Sequence, residues 1–77
     1  MKRRAIYQVS TELFIRVLNG KEAFVLPDDA VILRLDVDHL RNYVEILVTS
    51  ETYDEVPEGV YPPTRHDLMV RTLVGSL

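Results

Sequence analysis

The feature that most constrains this chain is a pair of alternating runs, residues 31–38 and 43–50, separated by His39, Leu40, Arg41 and Asn42. In the first run Val31, Leu33, Leu35 and Val37 alternate with Ile32, Arg34, Asp36 and Asp38. In the second, Val44, Ile46 and Val48 alternate with Tyr43, Glu45, Leu47 and Thr49. A period of two signals extended backbone, because successive side chains of a strand point to opposite faces. Closing the runs as an antiparallel hairpin over the four-residue connection pairs Val37 with Val44, Leu35 with Ile46 and Leu33 with Val48. That face is wholly apolar, and the fold is expected to depend on it. The other face pairs Asp38 with Tyr43, Asp36 with Glu45, Arg34 with Leu47 and Ile32 with Thr49, and sets Arg34 diagonal to Glu45. It is too apolar for plain solvent surface and too charged for core, so it is where a partner is expected.

An isolated hairpin is marginal, so a third strand is needed, and residues 5–9, centred on Ile6 and Tyr7, supply one. A helix follows it. Ser10 or Thr11 can cap, Glu12 suits the positive end of the helix dipole, and Asn19-Gly20 offers a left-handed stop. Leu13, Phe14, Val17 and Leu18 form its apolar stripe, which the apolar hairpin face can receive. Residues 21–26 read as an extended connector and Pro27-Asp28-Asp29 as a turn. The expected architecture is α+β: a small antiparallel sheet in the order β-α-β-β with one packed helix, built from residues 1–50.

Beyond that core the text changes. Residues 51–63 carry acids, prolines and a glycine and read as an extended arm, yet Val56, Val60 and Tyr61 place apolar side chains on it. Such an arm can pack on its own domain, cross to a neighbouring subunit or clamp a ligand. Residues 64–77 form a last element that packs on the core or on a partner. Thr64-Arg65-His66-Asp67 resembles a capping box, with Leu68, Met69, Thr72 and Leu73 helically spaced. Leu68, Val70, Thr72 and Val74 alternate as in a strand, and both readings stay open. A strand there makes the arm a hinge for exchange within a dimer.

A chain of 77 residues buries only about 60% of the surface its unfolded form exposes, so its core is thin. Without cysteine no disulfide can help, and His39 and His66 are too far apart in sequence to suggest a structural zinc. Oligomerisation, as a dimer or higher, is the remaining common remedy. The 47% hydrophobic and 27% charged composition is that of a folded globular domain rather than a disordered segment. No apolar run is long enough to span a membrane, and the basic start Lys2-Arg3-Arg4 leads into no signal-type stretch, so a cytoplasmic protein is expected.

Charge is uneven. Residues 36–58 hold seven acids (Asp36, Asp38, Glu45, Glu51, Asp54, Glu55, Glu58) against one base, Arg41, a net −6 that leaves +3 on the rest of a chain of net charge −3. An acidic middle with scattered bases disfavours duplex nucleic acid. A small anion held by a few arginines remains compatible.

Catalysis needs a nucleophile with a base, tuned carboxylates, a metal cluster or a phosphate cradle, and none of these motifs is present. Ser10 and Thr11 are explained by the helix cap. Asp36-Val37-Asp38-His39, with Glu45 opposite, has a layout compatible with a divalent cation, but charges on the solvent side of a hairpin beside a polar turn are ordinary. The reading is therefore non-enzymatic, with no metal and no cofactor. Two binding modes compete. In one, Asp36, Asp38, Glu45, Glu51, Asp54, Glu55 and Glu58 form an acidic surface that docks on a basic host protein and inhibits it. In the other, Arg3, Arg4, Arg34, Arg65 and Arg71, with Tyr7 and Tyr43, gather at a subunit interface as a sponge for a small nucleotide; Tyr53 and Tyr61 are further stacking candidates. The arginines decide: convergence on one concave pocket favours the sponge, scattering beside one flat acidic patch favours the inhibitor.

Three stretches resemble a group of short phage-encoded accessory proteins: Lys2-Arg3-Arg4 followed by Tyr7-Gln8-Val9-Ser10-Thr11-Glu12-Leu13, then Leu26-Pro27-Asp28-Asp29-Ala30, and Val56-Pro57-Glu58-Gly59. The resemblance implies a counter-defence role in a host cell, with a host protein or a cyclic dinucleotide or ADP-ribose signal as partner. It transfers no functional residue.

Overall fold

The computed structural model describes residues 2–73. It is an α+β fold. Strand β1 (Lys2–Ser10) leads into helix α1 (Thr11–Leu18); β2 (Glu22–Phe24), β3 (Val31–Asp38) and β4 (Tyr43–Thr49) follow, and short strands β5 (Glu55–Val56), β6 (Thr64–Arg65) and β7 (Val70–Thr72) complete the chain. The main sheet runs β3-β4-β1-β5, all antiparallel, and β6 joins β1 in parallel. A separate antiparallel pair unites β2 with β7.

The helix begins and ends where its caps dictate. Ser10, not Thr11, is the N-cap: its backbone is extended (φ −67°, ψ 149°) and its Oγ accepts from Leu13 N. Glu12 occupies the first turn and Arg16 the last, each matched to the dipole. The amides of Asn19 and Gly20 close on the carbonyls of Ile15 and Val17, with Gly20 in the left-handed region at φ 77°. Leu13 and Phe14 pack against the core, but Leu18, assigned to the same stripe from its spacing, is 69% exposed. In eight residues the helix makes about two turns.

The hairpin closes over the expected four residues. Asp38 Oδ1 accepts from the amides of Leu40 and Arg41, and Asn42 takes φ 58°, a conformation asparagine tolerates. Val37 faces Val44 and Leu35 faces Ile46, but Val48 faces Ile32 rather than Leu33, and Thr49 faces Val31 rather than Ile32. A bulge at Leu33 explains the correction: two residues on β3 oppose one on β4, and the side-chain alternation slips by one at that point. Reading across β1, β4 and β3, the inner face consists of the rows Ala5, Val48, Ile32; Tyr7, Ile46, Leu35; and Val9, Val44, Val37.

The β3 part of that face is a second correction. Val44, Ile46 and Val48 are essentially inaccessible, as are Ala5, Tyr7 and Val9, whereas Ile32, Leu35 and Val37 remain 46–48% exposed. The layer over the sheet, made by Leu13, Phe14, Phe24, Leu26, Ala30 and Leu68, reaches β1 and β4. Nothing among the described residues buries β3, which is the free edge of the sheet.

The arm packs on its own domain. Tyr53 enters the core, Val56 is buried where β5 pairs with Lys2 and Arg3, and Pro62 is buried near Ile6, whose amide donates to the Pro63 carbonyl. The C-terminal element is a strand, so the capping-box reading of Thr64 to Asp67 does not hold; β7 pairs with β2, which forms inside the expected connector. Residues 74–77, including Val74 of the alternating pattern, lie outside the described residues.

Candidate functional site: a two-arginine cleft

On the outer face of the sheet the rows are Arg4, Thr49, Val31; Ile6, Leu47, Arg34; Gln8, Glu45, Asp36; and Ser10, Tyr43, Asp38. The pairing of β1 and β3 on either side of β4 thus brings Arg4 and Arg34, thirty residues apart in the chain, to adjoining rows. The arm supplies the opposing wall. After the turn in which the Val60 amide donates to the Pro57 carbonyl, with Gly59 at φ 79°, the chain runs past these rows. Arg4, Arg34, Leu47, Gly59, Val60, Tyr61 and Pro62 then enclose an open cleft of about 280 Å³.

The polar groups of this cleft are cationic and incompletely satisfied. Arg4 Nε is buried and meets no hydrogen-bond partner among the described residues. Leaving a donor of a charged group buried without a partner is costly. Arg34 Nε lies 2.9 Å from Asp36 Oδ2. The Tyr61 hydroxyl first, and the Asp36 carboxylate second, push the Arg34 guanidinium above its ordinary pKa, so it stays charged. A guanidinium carries five N–H donors, and the contacts to Tyr61 and Asp36 do not use all of them. Tyr61 is 76% exposed at the cleft mouth, an aromatic face open to solvent.

The other residues proposed for ligand binding are placed elsewhere. Arg3 donates to the Tyr53 carbonyl and pairs with Glu55 at 3.2 Å and Glu51 at 3.8 Å. Tyr7 is a core residue whose hydroxyl is hydrogen-bonded to that of Tyr53 at 2.9 Å, the rings meeting edge to face. Arg65 lies over both rings, 6.0 Å from Tyr7 and 5.2 Å from Tyr53. Burial, then the Tyr7 hydroxyl, pushes the Tyr53 phenol upward, which keeps it neutral. Tyr43 lines a hollow at the hairpin tip with Asp36, Asp38, His39 and Glu45, a setting that repels anions. Arg71 is beside Phe24, Val25, Leu26 and Asp28. Of the seven arginines and tyrosines singled out, the fold brings Arg4 and Arg34 together, and Tyr61, one of the further stacking candidates, lies beside them.

The acids are divided as well. Asp36, Asp38 and Glu45 share the hairpin tip, Asp36 being paired with Arg34 and Asp38 being engaged by the turn amides. Glu51 and Glu55 face Arg3, while Asp54 and Glu58 are exposed separately on the arm. Among the described residues no three His, Cys, Asp or Glu side chains converge in a metal-binding group, and no helix is long and apolar enough to cross a membrane.

The wall formed by residues 59–62 was the part of the cleft that periodicity could not locate. Its only signal was the presence of Val60 and Tyr61 on a stretch unable to build a core. Comparison with protein-family models, with characterised proteins and with solved structures gave no match to this chain.

Proposed function

We propose that this domain is a non-catalytic binder of a small phosphate-bearing ligand, held between Arg4 and Arg34 with Tyr61 available to stack on a base. The observation that carries the reading is the meeting of two guanidinium side chains, Arg4 and Arg34, beside Tyr61 in one open cleft. Two arginines at one site match the oxygens of a phosphate in geometry as well as charge. At about 280 Å³ the cleft falls just below the usual size of a small-molecule site, so it suits a phosphate group with the remainder of the ligand lying along Tyr61. The resemblance to small phage proteins suggests the role: sequestration of a nucleotide signal such as a cyclic dinucleotide or an ADP-ribose derivative in a host cell. The alternative of inhibiting a host protein through an acidic surface has less support, because the acids are divided between the hairpin tip, Arg3 and the arm.

A thermal-shift series against cyclic dinucleotides, ADP-ribose and inorganic phosphate tests the reading. A ligand at about 100 times its Kd stabilises by roughly 2.7 kcal/mol. For a domain of this size that is a rise of roughly 10–20 °C. The rise should disappear in Arg4→Ala and in Arg34→Ala. No shift with any of these compounds sinks the proposal.

A further inference from the structure

We propose that β3 is a self-complementary edge on which a second copy of this chain pairs antiparallel, with the twofold axis at Leu35. Among the described residues β3 closes one side of the main sheet with no strand beyond it, and Val31, Ile32, Leu33, Leu35 and Val37 are each about half exposed. An eight-residue edge with apolar side chains on both faces is a template for pairing unless it is guarded. The bulge at Leu33 guards only its beginning, and residues 34–38 stay in regular register with β4.

Charge selects both the occupant and the register. A twofold axis normal to the sheet keeps each side chain on its own face, so the axis must pass through a residue. Centred on Arg34, the pairing sets Arg34 against its own copy; centred on Asp36, it sets two aspartates against each other. Centred on Leu35, it places each Arg34 opposite the other copy's Asp36. Since Arg34 already pairs with Asp36 of its own strand at 2.9 Å, the junction becomes an alternating ring of four charges. On the inner face the two Leu35 side chains meet at the axis, and Val37 of each copy approaches the bulged Leu33 of the other. The half-exposed apolar side chains of β3 thereby gain apolar neighbours across the junction. The pairing does not depend on the proposed ligand, although it places both arginine clefts on one face of a continuous sheet.

The test uses charge exchange and cross-linking, both without ligand. Sedimentation velocity should give a dimer for the native chain. Arg34→Asp and Asp36→Arg should each give a folded monomer by circular dichroism, because each sets like charges opposite, and the double exchange Arg34→Asp/Asp36→Arg should restore the dimer. The chain has no cysteine, so Leu35→Cys introduces a single thiol. At the axis the two Cα atoms lie roughly 4.5–5.5 Å apart, within disulfide reach, and oxidation should yield a covalent dimer. Val37→Cys should not cross-link, its copies being roughly 13 Å apart along the strands. A native monomer at all concentrations, single exchanges that remain dimeric, a double exchange that stays monomeric, or equal cross-linking at positions 35 and 37 would each overturn the pairing.

Discussion

Replacing Tyr53 by phenylalanine removes one oxygen from the best-enclosed polar contact in the molecule. Tyr53 and Tyr7 are 5% and 7% exposed, and their hydroxyls are 2.9 Å apart between the arm and the sheet. The ring of Tyr53→Phe still fills its place, so the cost comes from the Tyr7 hydroxyl left buried without its partner. Such a loss amounts to about 1–3 kcal/mol, whereas replacing both members by apolar groups of the same shape is nearly neutral. Tyr53→Phe and Tyr7→Phe should therefore each cost about 2 kcal/mol, or roughly 8–16 °C in Tm for a domain of this size. The double variant should cost less than the sum of the singles by about 1 kcal/mol or more. Urea unfolding followed by far-UV circular dichroism measures all four corners of the cycle; the chain has no tryptophan, and tyrosine fluorescence would change with the substitutions themselves. The same pair gives a pH signature. The Tyr53 phenol is raised above its ordinary value of 10.0, so its contribution is complete below about pH 10 and is lost as pH rises beyond it. Native protein should lose stability there faster than Tyr53→Phe. Additive single effects, or matching alkaline profiles, would refute the account of the pair.

Two further predictions separate burial from pattern. Ile46→Ala, at a site 1% exposed between β3 and β1, should cost about 2–5 kcal/mol, while Leu35→Ala, on the same face but 46% exposed, should cost about half as much in the isolated protomer; equal losses in denaturant titrations would contradict the placement of the core. Asp29 accepts from Ser50 Oγ at 2.6 Å and from the Glu51 amide at 2.8 Å, and these bonds hold its carboxyl below the ordinary 3.8. A depressed carboxyl contributes above its unfolded value and loses that contribution as pH falls through the folded one. Asp29→Ala should thus flatten the stability profile below about pH 4 and leave its shape above pH 5 unchanged, as pH-dependent Tm measurements would show.

Local signals carried much of the fold. The hairpin, its four-residue connection, the first strand and the helix with a cap at Ser10 or Thr11 are written in spacings of two to four residues, and backbone geometry turns such spacings into structure whatever surrounds them. The bulge at Leu33 carries no such mark. It is a compromise between β3 and β4 that shifts which apolar residue meets Val48. The C-terminal element was ambiguous for a related reason: Leu68 to Leu73 satisfies both periods, and the choice falls to strand because β2 offers a partner for Val70, Arg71 and Thr72.

The candidate cleft was less legible. Arg4 and Arg34 were visible as cations, but their adjacency follows from pairing β1 and β3 on either side of β4. Arg65 and Tyr7 had the right chemistry for a nucleotide and instead brace the core. By itself, then, the sequence determined an α+β domain with an alternating hairpin, a capped helix, an acidic arm and no cysteine. Only the tertiary structure decided that the arm folds back over the outer face, that two of the arginines meet there, and that β3 keeps half of its apolar surface uncovered. Periodicity acts within one element, whereas a cleft and an open edge are made by elements far apart in the chain, whose contacts no local pattern encodes.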